Sequence, residues 1–345
     1  MNLLGGLTPA AFLRRHWQRR ALFVRRALPG SAHLVGRDEL TSLALRDDVE
    51  SRIVERRGSQ WETAHGPFAN LKVRARNWTL LVSGVNLHHA GADALLRRFM
   101  FVPQARLDDV MVSYAAPGGG VGPHVDSYDV FLIQGPGRRH WTVWHGKRKF
   151  QYLAQPGDLL YLPPGWKHDG VALEPCFTYS VGFRAPRGAE LGAAFLDWLH
   201  ERGLPDARYS DRGLAPTARP ARIPSDMISF AENLMQRIRW TRGDVGAFLG
   251  EYLTAPKQQV VFPPGRKRRR ARSGMVRLDL KTQLLYRERR FFMNGEAVTV
   301  PAGAVAALRE LADARMASGA RLARAGLGDL LSEWQRRGYL HFGSG

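Results

Sequence analysis

Polar and apolar positions change their period along this chain, and the changes divide it into three stretches. Residues 1–188 are dominated by short apolar or alternating runs: WTLLVSGV (78–85), DDVMVSYAA (108–116), SYDVFLIQ (127–134), RHWTVWHG (139–146), GDLLYLPP (157–164) and FTYSVGF (177–183). Turns such as PGGG and GPGR separate them, so the pattern predicts many short strands closed into a barrel or a double-sheet jelly roll. Before the strands, Thr8 to Arg20 predicts a helix, with Thr8 as cap and Pro9 at the first helical position.

Residues 189–258 switch to a helical period. AELGAAFLDWLHERG places Leu191, Phe195, Trp198 and Leu199 on one face, and SDMISFAENLMQRIRW carries a similar stripe around Phe230. The connector YSDRGLAPTARPARIP lies between them. These paired apolar faces either cover the barrel or dimerise, a choice that periodicity leaves open; together with the resemblance given below, they lead to the expectation of a homodimer through this segment. Residues 259–345 form the third stretch. It opens on the basic run GRKRRRAR (265–272) and continues with Asn294–Gly295, a hairpin signal. Helical stretches follow at 302–317 and 327–337, the second with Leu327, Leu330, Leu331 and Trp334 on one face. Helices beside a hairpin predict a small winged-helix-like domain.

Composition narrows the class. The net charge is +20, and residues 261–345 hold 17 Lys or Arg against 7 Asp or Glu. Such a balance suits a polyanionic neighbour, most simply nucleic acid or a nucleoprotein. One cysteine, Cys176, excludes an internal disulfide framework and a multi-cysteine metal site. The first residues lack the apolar core of a signal peptide, and no apolar run approaches a membrane span. The expected setting is the cytoplasm.

Ionisable groups stand where a buried strand is expected. His124 and Asp126 are two apart, so on extended backbone they face one side. The glycines of APGGGVGP just before them permit close backbone approach. His168, after the PPGW turn, offers a third donor. Two imidazoles and one carboxylate match the facial triad of non-haem Fe(II) oxygenases. Zinc is the alternative, although the helical HExxH common at such zinc sites is absent. On the strand after the GPG turn, Arg139, Trp141 and Val143 share the more apolar face, so Arg139 is expected to point inward. A buried guanidinium needs an anion. The distal carboxylate of 2-oxoglutarate supplies one in a bidentate manner.

These residues carry a family resemblance. GGGVGPHVDSYDVFLIQGPGRRHW (118–141), GDLLYLPPGWKHDGVAL (157–173) and YSVGFRAP (179–186) resemble the bacterial JmjC-type ribosomal oxygenases. LGGLTPAAFLRRHW (4–17), YSDRGLAP (209–216) and the order of helices and winged tail extend the likeness over most of the chain. The resemblance implies a cupin-like, double-stranded β-helix barrel that uses Fe(II), 2-oxoglutarate and O2. The activity it implies is hydroxylation of an arginine of the sixteenth protein of the large ribosomal subunit. His124, Asp126 and His168 become the iron ligands, and Arg139 the cosubstrate arginine. Ala115 and Thr178 stand where the family pattern implies a serine and an asparagine beside the cosubstrate, which makes Ser113, Thr178 and Ser180 the candidates for that role. The stretch between Trp144 and Gly157 is shorter than the family pattern. A guanidinium-bearing target needs acidic or aromatic lining, for which Tyr128, Asp129 and Asp169 are the candidates. Two rival readings stay open: a catalytically silent metal-binding cupin with an RNA-binding tail, and an oxygenase of a small molecule or nucleobase.

Overall fold

The computed structural model describes residues 3–31, 33–71, 74–265 and 274–343. The basic run therefore lies outside the described residues from position 266 to its end at 272. The N-terminal body contains helices Pro9–Arg15 (α1), Arg37–Ala44 (α2) and Ala90–Arg97 (α3). Its strands are Leu22–Val24 (β1), Ser51–Arg57 (β2), Gln60–His65 (β3), Trp78–Val82 (β4), Leu107–Ala115 (β5) and His124–Val125 (β6). Val130–Gln134 (β7), Arg139–His145 (β8), Arg148–Ala154 (β9), Leu159–Leu162 (β10), Lys167–Ala172 (β11) and Cys176–Phe183 (β12) complete it. They form an eight-stranded sheet, ordered β1-β10-β7-β12-β5-β4-β2-β3, and a four-stranded sheet, ordered β6-β11-β8-β9.

The sequence pattern explains how these sheets are covered. In β7 and β10 every residue is buried. Phe131, Ile133, Leu159 and Tyr161 enter the core shared with α1 to α3, whereas Val130, Leu132, Leu160 and Leu162 enter the core facing the small sheet. Strands buried on both faces read as continuous apolar runs. β8 has only one covered face and alternates instead, with Arg139, Trp141 and Val143 buried. The result is a double-stranded β-helix with helices on the outer face of its larger sheet.

The predicted runs end where local chemistry changes. WTLLVSGV stops at Val82, before Gly84 enters the left-handed region at φ 65°. GDLLYLPP is strand only from Leu159 to Leu162, because the prolines offer no N–H to the ladder. Thr8 accepts a hydrogen bond from the Ala11 N–H (3.2 Å), with Pro9 at the first helical position, as expected.

Helices Gly188–Glu201 (α4), Ser225–Met235 (α5) and Arg242–Thr254 (α6) follow. Trp198 of α4 is buried, and Phe195 contacts both Trp198 and Phe248 of α6. α5 has no buried residue. The remainder comprises strands Met275–Leu278 (β13), Leu284–Arg287 (β14), Arg290–Met293 (β15), Glu296–Val298 (β16), Met316–Ser318 (β17) and Leu340–Gly343 (β18). Helices Val305–Ala314 (α7), Gly319–Arg324 (α8) and Gly328–Arg336 (α9) lie among them. Asn294 and Gly295 both have positive φ and turn β15 into β16, the geometry that makes this dipeptide a hairpin signal. Leu327, Leu331 and Trp334 join Leu308, Leu311 and Leu340 in a separate core. α6 packs on β14 to β16. The C-terminal unit also reaches the N-terminal body, where Gln104 donates to Gln283 (3.2 Å). Among the described residues no helix is long and apolar enough to cross a membrane.

Candidate metal centre and cosubstrate pocket

β6 is two residues long, yet its pairing with β11 sets His124 directly opposite His168. The two imidazole centroids are 4.2 Å apart. Asp126 follows immediately, and its carbonyl accepts from the Gly165 N–H (2.9 Å), which ties the ligand loop to the PPGW turn. One carboxylate oxygen of Asp126 lies 3.8 Å from His124 Nε2 and the other 3.6 Å from His168 Nε2. All three donor atoms fall within 4.8 Å of one another.

Each imidazole is oriented in the same way. His124 Nδ1 lies 2.9 Å from the Gly122 carbonyl and His168 Nδ1 lies 3.0 Å from the Trp166 carbonyl. A carbonyl only accepts, so Nδ1 carries the proton and Nε2 keeps its lone pair for a metal. Burial pulls the His168 pKa down, against the hydrogen bond to Trp166, and favours the neutral ring that coordinates. Gly122 makes the first arrangement possible. Its φ is +80°, and an added Cβ would sit 2.7 Å from the Trp61 ring nitrogen. Nitrogen, nitrogen and oxygen donors on one side of a cavity fit a divalent iron centre with positions left free.

The triad opens into a cavity of about 560 Å³. Arg139 lines it and is only 4% exposed. Its Nε and Nη2 have no hydrogen-bond partner, and the described contact is the ring of Trp141, 5.6 Å away. Orphaned guanidinium donors in a buried site call for an anion. Val143 pairs with His168, and Arg139 lies four residues along the same strand, roughly 13 Å at 3.3 Å per residue. An extended arginine and a five-carbon dicarboxylate together span that gap.

Ser113, Thr178 and Ser180 are buried and line the same cavity. Ser113 and Thr178 are cross-strand partners, and Thr178 Oγ1 has no partner. Tyr128 also lines the cavity. Burial, followed by the charge of Asp126, pushes its pKa up to about 12, so it remains a phenol.

Two expected substrate residues lie elsewhere. Asp129 is fully buried away from the cavity. Tyr161 donates to it at 2.6 Å and Gln18 at 3.0 Å, and Arg106 approaches at 3.7 Å. It is a structural anion joining three distant parts of the chain. Asp129→Ala should therefore lower unfolding free energy by about 3 kcal/mol, because Tyr161 and Gln18 lose their acceptor inside the fold. Chemical denaturation checks this; an undiminished midpoint would show that those groups find other partners. Asp169 adjoins His168, so strand alternation turns it to the opposite face, in register with Thr142, where its Oδ1 is buried without a hydrogen-bond partner.

The cavity also contains residues not singled out from the sequence. Thr79 is fully buried with an unpartnered hydroxyl. Asp108, Asp109 and Glu50 supply acidic groups toward the mouth. Asp109 accepts from the Gly84 N–H at 2.7 Å, and burial, reinforced by Asp108, pushes its pKa up to about 6. The signal for Asp109 was present: Asp109, Met111 and Ser113 share one strand parity. No such signal marked Lys257, which reaches the mouth from beyond α6.

The double-stranded β-helix and its triad define a JmjC-type oxygenase scaffold. A JmjC domain matches residues 94–191, and a ROXA-like winged helix matches residues 237–341, which takes in α6. The chain belongs to the ribosomal oxygenase family. It is 38% identical over 273 residues to the ribosomal protein uL16 3-hydroxylase of Escherichia coli K12, covering 73% of each chain. A probable ribosomal oxygenase of Haemophilus influenzae is 34% identical over 208 residues, covering 54% of this chain and 52% of that one. The E. coli ribosomal oxygenase YcfD superimposes with a TM-score of 0.84 at 32% identity, covering 98% of this chain and 99% of that one. The same relative has been solved with cobalt and 2-oxoglutarate, again with a TM-score of 0.84.

Proposed function

We propose that this protein is an Fe(II)- and 2-oxoglutarate-dependent hydroxylase of an arginine side chain in the sixteenth protein of the large ribosomal subunit. One observation carries the reading. A His–Asp–His donor set opens into a cavity whose far wall holds a buried guanidinium with unpartnered donors. The relative's name supports the target, and the acidic mouth suits a cationic side chain.

When bound, iron with 2-oxoglutarate and O2 supplies the oxidising power, yielding succinate and CO2 and placing one oxygen on the target carbon. His124, Asp126 and His168 hold the metal on one side of the cavity. Arg139 fixes the distal carboxylate of the cosubstrate, with Ser113, Thr178, Ser180 and Thr79 as nearby hydroxyls. Asp109 and Tyr128 line the route of the target side chain, and the carboxylate is suited to grip a guanidinium. Residues buried around the triad exclude water from the reacting groups.

Stimulated cosubstrate turnover tests the proposal. A peptide of the ribosomal protein containing the target arginine should accelerate 2-oxoglutarate decarboxylation, whereas nucleotides should not. No turnover with any partner would favour the silent cupin, and nucleotide stimulation would favour a nucleobase oxygenase.

Dimerisation belongs to the same reading. α5 leaves Met227, Ile228 and Met235 exposed at 43%, 56% and 68%. An apolar helix face left in solvent is a self-association surface. Changing Ile228 and Met235 together to Glu should convert a dimer to a monomer in light scattering. An unchanged mass would move the interface elsewhere. The basic run 265–272 is proposed to contact ribosomal RNA, with the steep salt dependence of phosphate binding.

A further inference from the structure

The acidic mouth of the cavity already faces a cation of the chain itself. Lys257 lies on the connection leaving α6, in neither helix nor strand. Its Nζ is 3.2 Å from an oxygen of Asp108, and it lines the same cavity as Asp109, Tyr128 and the triad. Arg184 Nε approaches the same Asp108 oxygen at 3.6 Å. Asp109 has no ion pair within 4.0 Å among the described residues, and its described hydrogen bond is to the Gly84 N–H.

We propose that Lys257 is a resident counter-ion of the target subsite, neutralising the Asp108–Asp109 wall in the free enzyme and moving away when the target guanidinium enters. The proposal rests on the reading of that wall as the target's subsite. Three physical points carry it. Adjacent carboxylates in a half-enclosed cavity repel each other unless a cation stands by. An ammonium that stayed would repel an arriving guanidinium at short range in a poorly screened site. Leaving is also cheap, because the Lys257 side chain is 39% exposed, sits on a flexible stem and holds an ion pair of the weak, half-exposed kind. Lys257 remains charged in place: burial works against it, but Asp109 and Asp108 outweigh burial and raise its pKa.

Lys257 thereby acts on specificity. A weakly binding side chain cannot displace the resident cation, whereas a forked guanidinium with two donors to the wall can. The C-terminal half of the chain thus contributes a side chain to the mouth of the oxygenase cavity.

The test is calorimetric titration of the arginine-bearing ribosomal peptide into full-length protein loaded with Mn(II) and 2-oxoglutarate without O2. Removing the resident cation should tighten binding, so Lys257→Met should lower Kd about threefold to fivefold, the range set by a half-exposed ion pair. Lys257→Arg keeps a cation in place and should bind within about twofold of the wild type. Lys257→Gln substitutes for the Met variant if the latter folds poorly. Asp109→Asn serves as the reference for the subsite and should weaken binding about tenfold or more. If Asp109→Asn weakens binding while Lys257→Met leaves it equal or weaker, Lys257 is a bystander or a direct peptide contact, and the proposal is overturned. If Asp109→Asn has no effect, the subsite reading itself fails and takes the proposal with it.

Discussion

Replacing Asp126 by alanine is expected to lower Fe(II)-dependent decarboxylation of 2-oxoglutarate by at least about 1,000-fold. Loss of a residue that merely orients a ligand commonly costs 10–100-fold, and Asp126 is placed to be a ligand itself. It is also the only carboxylate of the donor set and approaches both imidazoles. His124→Ala and His168→Ala should behave alike, since each leaves two donors of three. The fold should persist in the Asp126 variant, whose side chain is 22% exposed and whose tie to the PPGW turn runs through its backbone carbonyl. Iron titration followed by cosubstrate consumption, with circular dichroism as a control, checks the expectation. Undiminished turnover in any two of the three variants would mean that the metal sits elsewhere.

The second large effect concerns Arg139. Arg139→Ala should raise the KM for 2-oxoglutarate about 100-fold and leave iron affinity nearly untouched, because a charge-assisted contact is lost and the cosubstrate carboxylate stays unpaired. Arg139→Lys should recover about tenfold of that loss, since an ammonium keeps the charge without the fork. Arg138 is the internal comparison. It is half-exposed and already paired with Glu174 at 3.0 Å. Arg138→Ala should therefore change the KM by less than about twofold. Steady-state kinetics with varied cosubstrate distinguishes the two; a larger effect at Arg138 would reverse the orientation of the strand.

That orientation was legible in the sequence because alternation along RHWTVWHG is strict, and one face of β8 is covered while the other is not. The two-apart spacing of His124 and Asp126, and the delivery of His168 by the PPGW turn, were readable for the same kind of local reason. Less was visible where strands are polar. RKFQYLA, QWETAH and SRIVERR form β9, β3 and β2, but their burial is partial and charged residues interrupt the pattern. Pairing with neighbours, not propensity, makes them strands. α6 falls within the stretch 189–258 read as helical, but its bounds were not marked, because its residues meet β14 to β16 as well as α4 and no single apolar stripe forms.

The departures at the site have two causes. Asp169 adjoins His168 on β11, and adjacency on a strand places a side chain on the other face. Asp129 lies on the turn between β6 and β7, three positions beyond Asp126, where strand parity gives no guide. Asp129 instead meets Tyr161 and Gln18, 32 and 111 positions away. Lys257 was hidden by the converse, since it lies far from the ligands along the chain and meets the cavity only where the connection beyond α6 crosses it. Asp109 was readable only through its shared parity with Ser113 on β5.

The most direct measurement is tandem mass spectrometry of the sixteenth large-subunit ribosomal protein after incubation with this enzyme, Fe(II), 2-oxoglutarate and O2. The account predicts one added oxygen atom on an arginine side chain, absent when 2-oxoglutarate is omitted and absent with His124→Ala. An unmodified protein, or an oxygen found on a histidine of another ribosomal protein, would contradict it.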